Sequence, residues 1–327
     1  MIKVENLKKI YETKIKKGFL KSEKAYLEAV KGVDMELEKG KIVGLLGING
    51  AGKTTTIKML STLLLPTSGT IDVDGIDAVK KPMLVKKKIN MVAGGERMIY
   101  WRLTGRENLW YYGQIYGIED KVLNKRIDDL LDLVGITNKK DMPVENYSKG
   151  MKQRLQIARG LINDPDYIFM DEPTLGLDAV ISKELRVHIR RIAEKEGKGI
   201  LLTSHYMAEI EELCDYIYIL NQGKIIDQGT PKELARIGLK NKTINLKLEN
   251  IDSDVHKKII DFCNRVDKAT GVKINSDNNF IITSSTDIKL KISKYCADNN
   301  ILINELYEEE PKLEDAIIRL SKEALYV

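Results

Sequence analysis

One segment restricts the fold more than any other, because it places a glycine-rich loop between an apolar run and a stretch of helical length. The apolar run covers residues 41–47, and the helical stretch begins at Lys53 and ends at Pro66. The loop fits the pattern G-x-x-x-x-G-K-[ST], which requires a strand before it and a helix after it. Its residues and the threonine that follows are Gly47, Ile48, Asn49, Gly50, Ala51, Gly52, Lys53, Thr54 and Thr55. The segment predicts the phosphate-binding loop of an α/β, P-loop NTPase fold.

The residue types of this loop suit a nucleotide with Mg²⁺. Glycines allow backbone N–H groups to face phosphate oxygens, and the amino end of the helix adds positive partial charge. Lys53 is expected to neutralise the β- and γ-phosphates, and Thr54 to offer its hydroxyl to Mg²⁺. The alternative is a chance glycine-rich turn, which the strand and the helix on either side disfavour.

A second segment carries two acids directly after an apolar strand. Residues 167–171 read YIFMD and are followed by Glu172 and Pro173. Because an acid at the end of such a strand lies beside the bound phosphates, Asp171 is expected to hold Mg²⁺ through water. Glu172 is left to orient or deprotonate the attacking water. Without the upstream loop, an ordinary solvated turn would be the simpler interpretation.

The order of the predicted elements describes a large first domain, over residues 1–235. Apolar strands at 167–171 and 200–205 alternate with helical stretches, which predicts a mostly parallel sheet covered on both faces. Residues 67–77 add an antiparallel strand pair with a turn. Residues from about 96 to 160 are helical in period and are expected to form a helical subdomain.

The composition changes after Pro231, where glycine becomes rare and Ile, Lys and Asn become frequent. Residues 236–327 then show strand, helix, two strands, helix, strand and a closing helix at 311–322. The first six elements match a split βαβ, ferredoxin-like arrangement. This predicts a small α+β domain, whose role could be dimer stabilisation, binding of a regulator or contact with a partner.

Bulk properties narrow the function classes. No stretch approaches the roughly 18–20 apolar residues that cross a bilayer, and the amino terminus lacks the apolar run of a secretory signal, so a cytoplasmic protein is expected. Cys214, Cys263 and Cys296 are widely spaced and odd in number, which argues against a zinc site or a disulfide framework. The formal net charge is only +5, and no spread-out basic surface indicates nucleic-acid binding.

Much of the positive charge is local. Residues 8–24 hold seven lysines against Glu12 and Glu23. We predict a solvated loop here, with attraction to anionic phosphate or lipid head groups as the alternative.

Motifs further along the chain agree in order with those of a known family. Residues 147–154 read YSKGMKQR and resemble the family signature in its S-x-G form, and residues 175–178 read LGLD and resemble the D-loop. His205 follows a strand, as the family's switch histidine does. Together with the phosphate loop and Asp171, these motifs make residues 2–235 resemble an ATP-binding cassette (ABC) ATPase.

The resemblance implies ATP and Mg²⁺ as ligands and assigns further roles. Tyr11 would stack on adenine and His205 would contact the γ-phosphate, although a single Tyr or His also occurs for structural reasons. Ser148 and Gly150 would serve the nucleotide of a second subunit, and Asp178 would belong to the loop that links the two sites. The working unit would be a head-to-tail homodimer, or a heterodimer with a related subunit, around two ATP molecules.

The chain departs from the family at one position. A glutamine usually follows the strand at 89–93, whereas Gly95 stands there in this chain. As a hypothesis, Glu96 or water replaces the missing Mg²⁺ ligand, although Glu96 would add negative charge near the γ-phosphate.

The helical subdomain is unusually aromatic, and in this family it docks on the membrane subunit. We therefore expect Tyr100 and Trp101 at an interface. Trp110, Tyr111 and Tyr112 are expected to pack inside.

Residues 310–316 read EPKLEDA and resemble the ending of drug and antibiotic exporter ATPases that work with ABC-2 type permeases. The resemblance implies an ATP-hydrolysing transporter subunit, peripheral on the inner face of the cell membrane, with export as the favoured direction. A soluble cassette ATPase of translation or DNA maintenance is the alternative, disfavoured because the chain has one cassette and no long heptad repeats. A purely regulatory module is disfavoured by intact Lys53, Asp171, Glu172 and His205.

Overall fold

The chain folds into two compact units, Met1–Lys232 and Glu233–Glu323. Each unit has a hydrophobic core of its own. The computed structural model describes residues 1–17, 21–93, 99–204, 206–237, 242–249, 253–267, 271–275, 279–309, 312–314 and 316–317.

The first unit contains two sheets and the helices around them. Its strands are β1 (Ile2–Lys17), β2 (Lys21–Leu37), β3 (Ile42–Leu46), β4 (Ser68–Val73), β5 (Ile76–Asp77), β6 (Ile89–Ala93), β7 (Tyr167–Asp171), β8 (Gly199–Thr203), β9 (Tyr216–Asn221) and β10 (Lys224–Gly229). Its helices are α1 (Lys53–Leu60), α2 (Pro82–Val85), α3 (Gly105–Ile115), α4 (Asp120–Leu133), α5 (Lys149–Leu161), α6 (Ala179–Glu196) and α7 (Met207–Leu213). Helix α8 (Pro231–Ile237) crosses the boundary between the units.

The larger sheet is mostly parallel, as predicted. Its strand order is β10-β9-β3-β8-β7-β6, and β10 with β9 is the antiparallel pair. All five residues of β3 and all five of β8 are buried, which explains their continuous apolar sequences. Because β3, β7 and β8 run in the same direction, the loops that follow them leave from one edge of the sheet.

The smaller sheet is antiparallel, with the order β2-β1-β4-β5. Its apolar side chains, such as Val4, Val33 and Ile71, join Leu45 and Phe169 of the larger sheet in one buried core. The predicted strand pair at 67–77 is part of this sheet.

The lysine-rich segment is not a loop, and that prediction was wrong. Residues 8–17 lie in β1 and residues 21–24 in β2, and the two strands pair from Ile2 opposite Leu37 to Lys17 opposite Lys21. The backbone hydrogen-bond ladder does not depend on the charge of the side chains, and opposite charges can pair diagonally across it, as Lys24 and Glu12 do at 2.6 Å. The register shifts three times between Val4 and Ile10.

The helical subdomain begins with a capping box. Thr104 Oγ1 accepts a hydrogen bond from the Glu107 backbone N–H at 3.1 Å, and the Glu107 carboxylate accepts one from the Thr104 N–H at 2.7 Å. These bonds fix where α3 starts. Its buried residues recur at helical spacing, at Gly105, Asn108, Leu109 and Gly113.

This spacing overturns part of the prediction for the aromatic residues. Trp110 and Tyr111 fall between the buried positions of α3 and are 45% and 38% exposed, so they do not pack inside. Tyr112 is half-buried. Tyr100 and Trp101 are 46% and 50% exposed, which leaves them available for an interface.

Within its described residues, the second unit contains a four-stranded antiparallel sheet and two helices that lie between the strands in the chain. Its elements are β11 (Lys242–Leu248), α9 (Ser253–Val266), β12 (Gly271–Asn275), β13 (Asn279–Ser284), α10 (Lys289–Asp298) and β14 (Ile303–Glu308), so the six predicted elements are present in the predicted order. The strand order β12-β13-β11-β14 makes two split βαβ units. Of the predicted closing helix, residues 313–314 and 316–317 are helical, and most others lie outside the described residues.

Candidate functional site

The phosphate loop of the sequence analysis joins β3 to α1. Lys53 is the first residue of α1, and its side chain is 8% exposed. Its ammonium donates hydrogen bonds to the backbone oxygens of Gly47 at 2.6 Å and Ile48 at 3.2 Å. The lysine side chain therefore bends back across its own loop and holds the loop in a curved shape.

Two glycines of the loop are required by close backbone contacts. A Cβ on Gly47 would lie 2.2 Å from the oxygen of Leu220, and one on Gly52 would lie 2.5 Å from the oxygen of Ala29. Gly52 also has a φ of 108°, in the left-handed region. The loop can approach β2 and β9 this closely only without side chains at these positions.

The two predicted acids lie at the end of β7, next to the end of β8. Asp171 and Thr203 are opposite each other in the parallel register, and the Thr203 hydroxyl donates to Asp171 Oδ1 at 2.6 Å. The backbone N–H of Glu172 lies 3.1 Å from the oxygen and 3.2 Å from the hydroxyl of Thr203. Thr203 thus fixes the start of the turn that carries both acids.

Glu172 has an unusual backbone conformation. Its φ is 54°, in the left-handed region that residues with a Cβ rarely adopt. Such a conformation costs about 1–3 kcal/mol and persists only where surrounding contacts impose it. Here the contacts to Thr203 impose it, and the chain turns sharply out of the strand direction at this residue.

The site combines the positive charge of Lys53 with the carboxylates of Asp171 and Glu172, which suits an anionic ligand that binds together with a cation. Burial lowers the pKa of Lys53, while the nearby carboxylates of Glu172 and Asp171 raise it and only partly compensate. Binding of a polyphosphate would bring negative charge to Lys53 and favour its protonated form. The site is therefore electrostatically incomplete without an anion beside Lys53.

A cavity of about 390 Å³ brings most of the predicted residues together. The hairpin of β1 and β2 contributes Tyr11, Leu27 and Ala29, of which Tyr11 and Leu27 are directly opposite each other in the register. The phosphate loop and the end of β7 supply the remaining lining residues, Asn49, Gly50, Ala51, Gly52, Lys53, Thr54, Thr55, Asp171 and Glu172.

The cavity suits Mg²⁺ held together with phosphates. The described residues contain no group of three or more His, Cys, Asp or Glu side chains that could hold a metal ion. Mg²⁺ usually binds one or two carboxylates plus phosphate and water oxygens, and does not need such a cage. Asp171 and Thr54 both line the cavity and fit that requirement.

Gly47 and Ile48 belong to the phosphate loop but do not line the cavity, and three further predicted residues lie in other elements. Ser148 and Asp178 cap α5 and α6, because their side-chain oxygens accept from the N–H groups of Met151 and Ile181 at 3.2 and 2.9 Å. A Cβ on Gly150 would lie 2.6 Å from Ile181, so this glycine allows α5 and α6 to pack closely. None of the three is among the described residues that line the cavity.

Other sequence expectations lie outside the described residues, namely those for His205, Gly95 and Glu96. Conversely, sequence analysis missed Thr203, Leu27 and Ala29. The signal for Thr203 was its place at the end of a strand beside the Asp171 strand. Nothing in the sequence marked Leu27 or Ala29, because their role follows from strand pairing.

The fold and the cavity together define a nucleotide-binding protein of the P-loop class. The family model described as ABC transporter matches residues 30–175. The ABC transporter ATP-binding protein NatA of Bacillus subtilis (strain 168) is 44% identical over 211 residues, which are 64% of this chain and 85% of NatA.

Two further proteins extend the similarity. The bacitracin transport ATP-binding protein BcrA of Bacillus licheniformis is 32% identical over 296 residues, 90% of this chain and 92% of BcrA. A solved structure of the ATP-binding subunit of an ABC transporter has a TM-score of 0.59 and 28% identity, covering 72% of this chain and 92% of that one.

The chain belongs to the ABC transporter family, as an ATP-binding subunit that hydrolyses ATP. This confirms the predicted family and activity and does not favour a role in translation or DNA maintenance. Among the described residues, no helix is long and apolar enough to cross a membrane.

Proposed function

We propose that this ATPase powers export through a separate ABC-2 type permease, as a head-to-tail dimer on the inner face of the cell membrane, without nucleic acid. The observation that carries the proposal is the cavity that Tyr11, Lys53, Asp171 and Glu172 line together. Transport is supported by the name of BcrA, a bacitracin transport ATP-binding protein, and export by the name of the Nod factor export ATP-binding protein I of Ralstonia nicotianae.

In the proposed site, each end of the ATP molecule meets a different wall of the cavity. The Tyr11 ring stacks on the adenine, and the N–H groups of the loop from Gly47 to Gly52 hold the phosphates. Lys53 and the first threonines of α1 lie at the terminal phosphates. Thr54 and Asp171 would hold Mg²⁺, which would neutralise negative charge on the terminal phosphates.

Hydrolysis then depends on the orientation of the Glu172 carboxylate. The turn after β7 directs Glu172 into the cavity that holds Lys53, where its carboxylate can orient or deprotonate a water molecule. His205 follows the strand that holds Thr203, and we propose that it contacts the γ-phosphate.

The dimer is proposed from the positions of Ser148, Gly150 and Asp178. Ser148 is exposed at the amino end of α5, yet it does not line the cavity of its own chain. Its hydroxyl oxygen already accepts from Met151, but its O–H can still donate to a phosphate oxygen of another molecule. Two chains arranged head to tail would bring Ser148 and Gly150 of one to the cavity of the other.

The permease is proposed to dock on the helical subdomain. A groove of about 400 Å³ lies between β6 and α3 and is lined by Met91, Tyr112 and Ile115. Exposed aromatic residues, including Tyr100 and Trp101, lie in the same subdomain. Exposed apolar surface of this kind is typical of protein interfaces.

Residues 94–98 follow β6 and carry the departure from the family. We retain the hypothesis that Glu96 or water supplies the Mg²⁺ ligand at this position. If the Glu96→Ala variant keeps the turnover and Mg²⁺ dependence of the unaltered chain, the ligand is not Glu96.

The proposed domains are an ATPase domain over residues 1–235, with a helical subdomain at about 96–160, and a ferredoxin-like domain over 236–327. The two split βαβ units of the second unit support the ferredoxin-like assignment. The match to BcrA is longer than Met1–Lys232 and therefore continues into the second unit.

The central test replaces Glu172 by Gln. We expect an ATP-stabilised dimer and a turnover at least about 10²-fold lower, because the base is lost while phosphate binding is kept. Steady-state hydrolysis and size-exclusion chromatography with ATP measure both effects. Glu119→Gln, at an exposed position outside the cavity, is the matched control. Unchanged hydrolysis in Glu172→Gln would contradict the catalytic assignment.

The partner is tested by purification of the chain from membranes solubilised in detergent. We expect an integral membrane protein to co-purify, and a Trp101→Ala variant to recover less of it. Recovery with ribosomes or DNA instead would reject the transport assignment.

A further inference from the structure

A carboxyl group that the proposed mechanism does not use lies next to the site. Glu209 is on α7 and is only 1% exposed, which is rare for a glutamate. Its Oε2 accepts a hydrogen bond from the Thr174 hydroxyl at 2.8 Å and another from the Ser204 hydroxyl. Thr174 and Ser204 are themselves 2% and 3% exposed.

The two hydroxyls belong to the two loops that carry the proposed chemistry. Thr174 lies two residues after Glu172, in a turn where the Leu175 N–H donates to the Glu172 oxygen at 3.2 Å. Ser204 lies between Thr203 and His205 in the chain. A single carboxylate oxygen therefore bridges the turn after β7 and the segment after β8.

Burying the carboxyl group of Glu209 in this way lowers the stability of the fold. Burial raises the pKa of Glu209, and the hydrogen bonds from Ser204 and Thr174 only partly oppose it. The other oxygen, Oε1, makes no hydrogen bond within the described residues. A buried carboxyl with one unsatisfied oxygen costs free energy that an apolar residue would not. A benefit in positioning would explain its presence.

The bridge adds to contacts already present between the loops. Thr203 ties Asp171 and the Glu172 N–H to β8 at the level of the strands. Glu209 makes the second connection, beyond the strand ends, so that the two loops are held at two points instead of one. Two points of contact fix the orientation of the loops as well as their separation.

We propose that Glu209 is a positioning residue that holds the turn carrying Glu172 at a fixed distance and angle from Ser204, the residue that precedes His205 in the chain. The inference rests on the proposed roles of Glu172 and His205. Glu209 touches neither nucleotide nor water in this role, and it acts through Thr174 and Ser204.

The test compares kcat and KM for ATP in the full chain with Glu209→Ala and Glu209→Gln. We expect Glu209→Ala to lower kcat about 10- to 100-fold, since small misplacements of catalytic groups have effects of this size. KM should change less than about 3-fold, because the phosphate loop is untouched. Glu209→Gln keeps an oxygen that can accept from both hydroxyls and should restore most of kcat.

Two milder variants test the same hydrogen bonds in case Glu209→Ala does not fold. Thr174→Val and Ser204→Ala each remove one hydroxyl, and their combination should reproduce the kcat loss of Glu209→Ala. Adding Glu209→Ala to that pair should then lower kcat little further, because the three residues act as one unit. Asp74→Ala is the control, since Asp74 is another mostly buried carboxylate with several partners but does not line the cavity.

The outcomes separate the two levels of the proposal. If all Glu209, Thr174 and Ser204 variants lower Tm, as Asp74→Ala should, but leave kcat per folded chain unchanged, Glu209 is structural only and the inference is overturned. If Glu172→Gln hydrolyses ATP normally, the proposed function fails instead. Loss of kcat in Glu172→Gln and Glu209→Ala, with rescue by Glu209→Gln, supports the inference.

Discussion

The amino ends of α1 and α5 contain similar residue types but are built in opposite ways. Helix α1 follows Gly52, which has no side chain to cap the helix. Helix α5 follows Ser148, whose hydroxyl oxygen accepts from the Met151 N–H and closes the first turn. The first helix end leaves its N–H groups to an external anion, and the second satisfies part of its own hydrogen bonding.

The difference indicates which half of a nucleotide site one chain can complete. The end of α1 lies in the cavity with Lys53 and the two acids, so we expect phosphate binding to need only one chain. The end of α5 closes its first turn with the Ser148 side chain and keeps the hydroxyl hydrogen of Ser148 available to donate. Such an end suits a contact that forms and breaks during a cycle.

The largest expected effect comes from removing the charge at α1. In Lys53→Ala, we expect hydrolysis to fall about 10³-fold, because a buried cation at the terminal phosphates is lost. ATP binding by the single chain should weaken as well. Phosphate release and fluorescent-nucleotide titration measure the two effects. Lys58→Ala, an exposed lysine on the same helix, serves as control, and equal activity of the two variants would contradict the role of Lys53.

A smaller effect is expected from the end of α5. Ser148→Ala should lower hydrolysis about 10²-fold through the lost donor. It should also cost about 1 kcal/mol of stability through the lost cap. ATP binding to the isolated chain should not change. Asp178→Ala removes a comparable cap of α6. The stability that it loses shows how much of the effect of Ser148→Ala comes from the lost cap.

Mixing the two variants sharpens the comparison. A head-to-tail dimer of one Lys53→Ala chain and one Ser148→Ala chain has one site with both defects and one site with none. We expect the mixture to regain hydrolysis that neither variant shows alone, measured against the same total protein. A mixture that stays as inactive as its components would contradict the head-to-tail arrangement.

The loop before α1 offers a matched pair of glycines. A Cβ on Gly52 would meet the Ala29 oxygen at 2.5 Å, whereas a Cβ on Gly50 would meet nothing within 4 Å, although both residues have positive φ. Gly50→Ala should therefore cost about 1 kcal/mol of stability, and Gly52→Ala about 2 kcal/mol or more. Chemical unfolding measures both. Equal costs would show that the contact with Ala29 relaxes freely.

The smallest effect on activity is expected at a charged cluster that belongs to neither helix end. Burial alone would raise the pKa of Asp74, but hydrogen bonds from Lys88, the amino terminus and Tyr167 outweigh it and hold this pKa well below its ordinary value. The stabilisation is therefore full above the ordinary value of 3.8 and is lost as the pH falls below it.

We expect Asp74→Asn to reduce the free energy of unfolding by about 1 kcal/mol or more at pH 7 and by less near pH 3. Urea unfolding at the two pH values measures this, with hydrolysis at pH 7 unchanged. A variant with the same pH dependence of stability as the unaltered chain would show that Asp74 does not contribute in this way.

The phosphate loop and the end of β7 were predictable because their function requires specific residues in sequence order. Gly52 and Lys53 follow from the motif, and Asp171 follows from its position after an apolar strand. Thr203 and Leu27 could not be found in that way. Both reach the site through strand pairing, which brings together residues that are distant in the chain.

The two errors have a common physical cause. Residues 8–24 were expected to be a loop because of their charge, and Trp110 was expected inside because of its aromatic ring. In both cases, composition was given more weight than the periodicity of the element. A strand tolerates charged side chains on its surface, and the buried face of α3 is defined by Gly105, Asn108 and Leu109.

The three register shifts in β1 have a consequence for how this chain can vary. They precede Tyr11, and together they determine which side of the hairpin that ring faces. Side chains alternate along a strand, so one residue inserted or deleted before Ile10 would turn the ring to the opposite side. A stretch without a single catalytic group should therefore tolerate many substitutions but hardly any change in length.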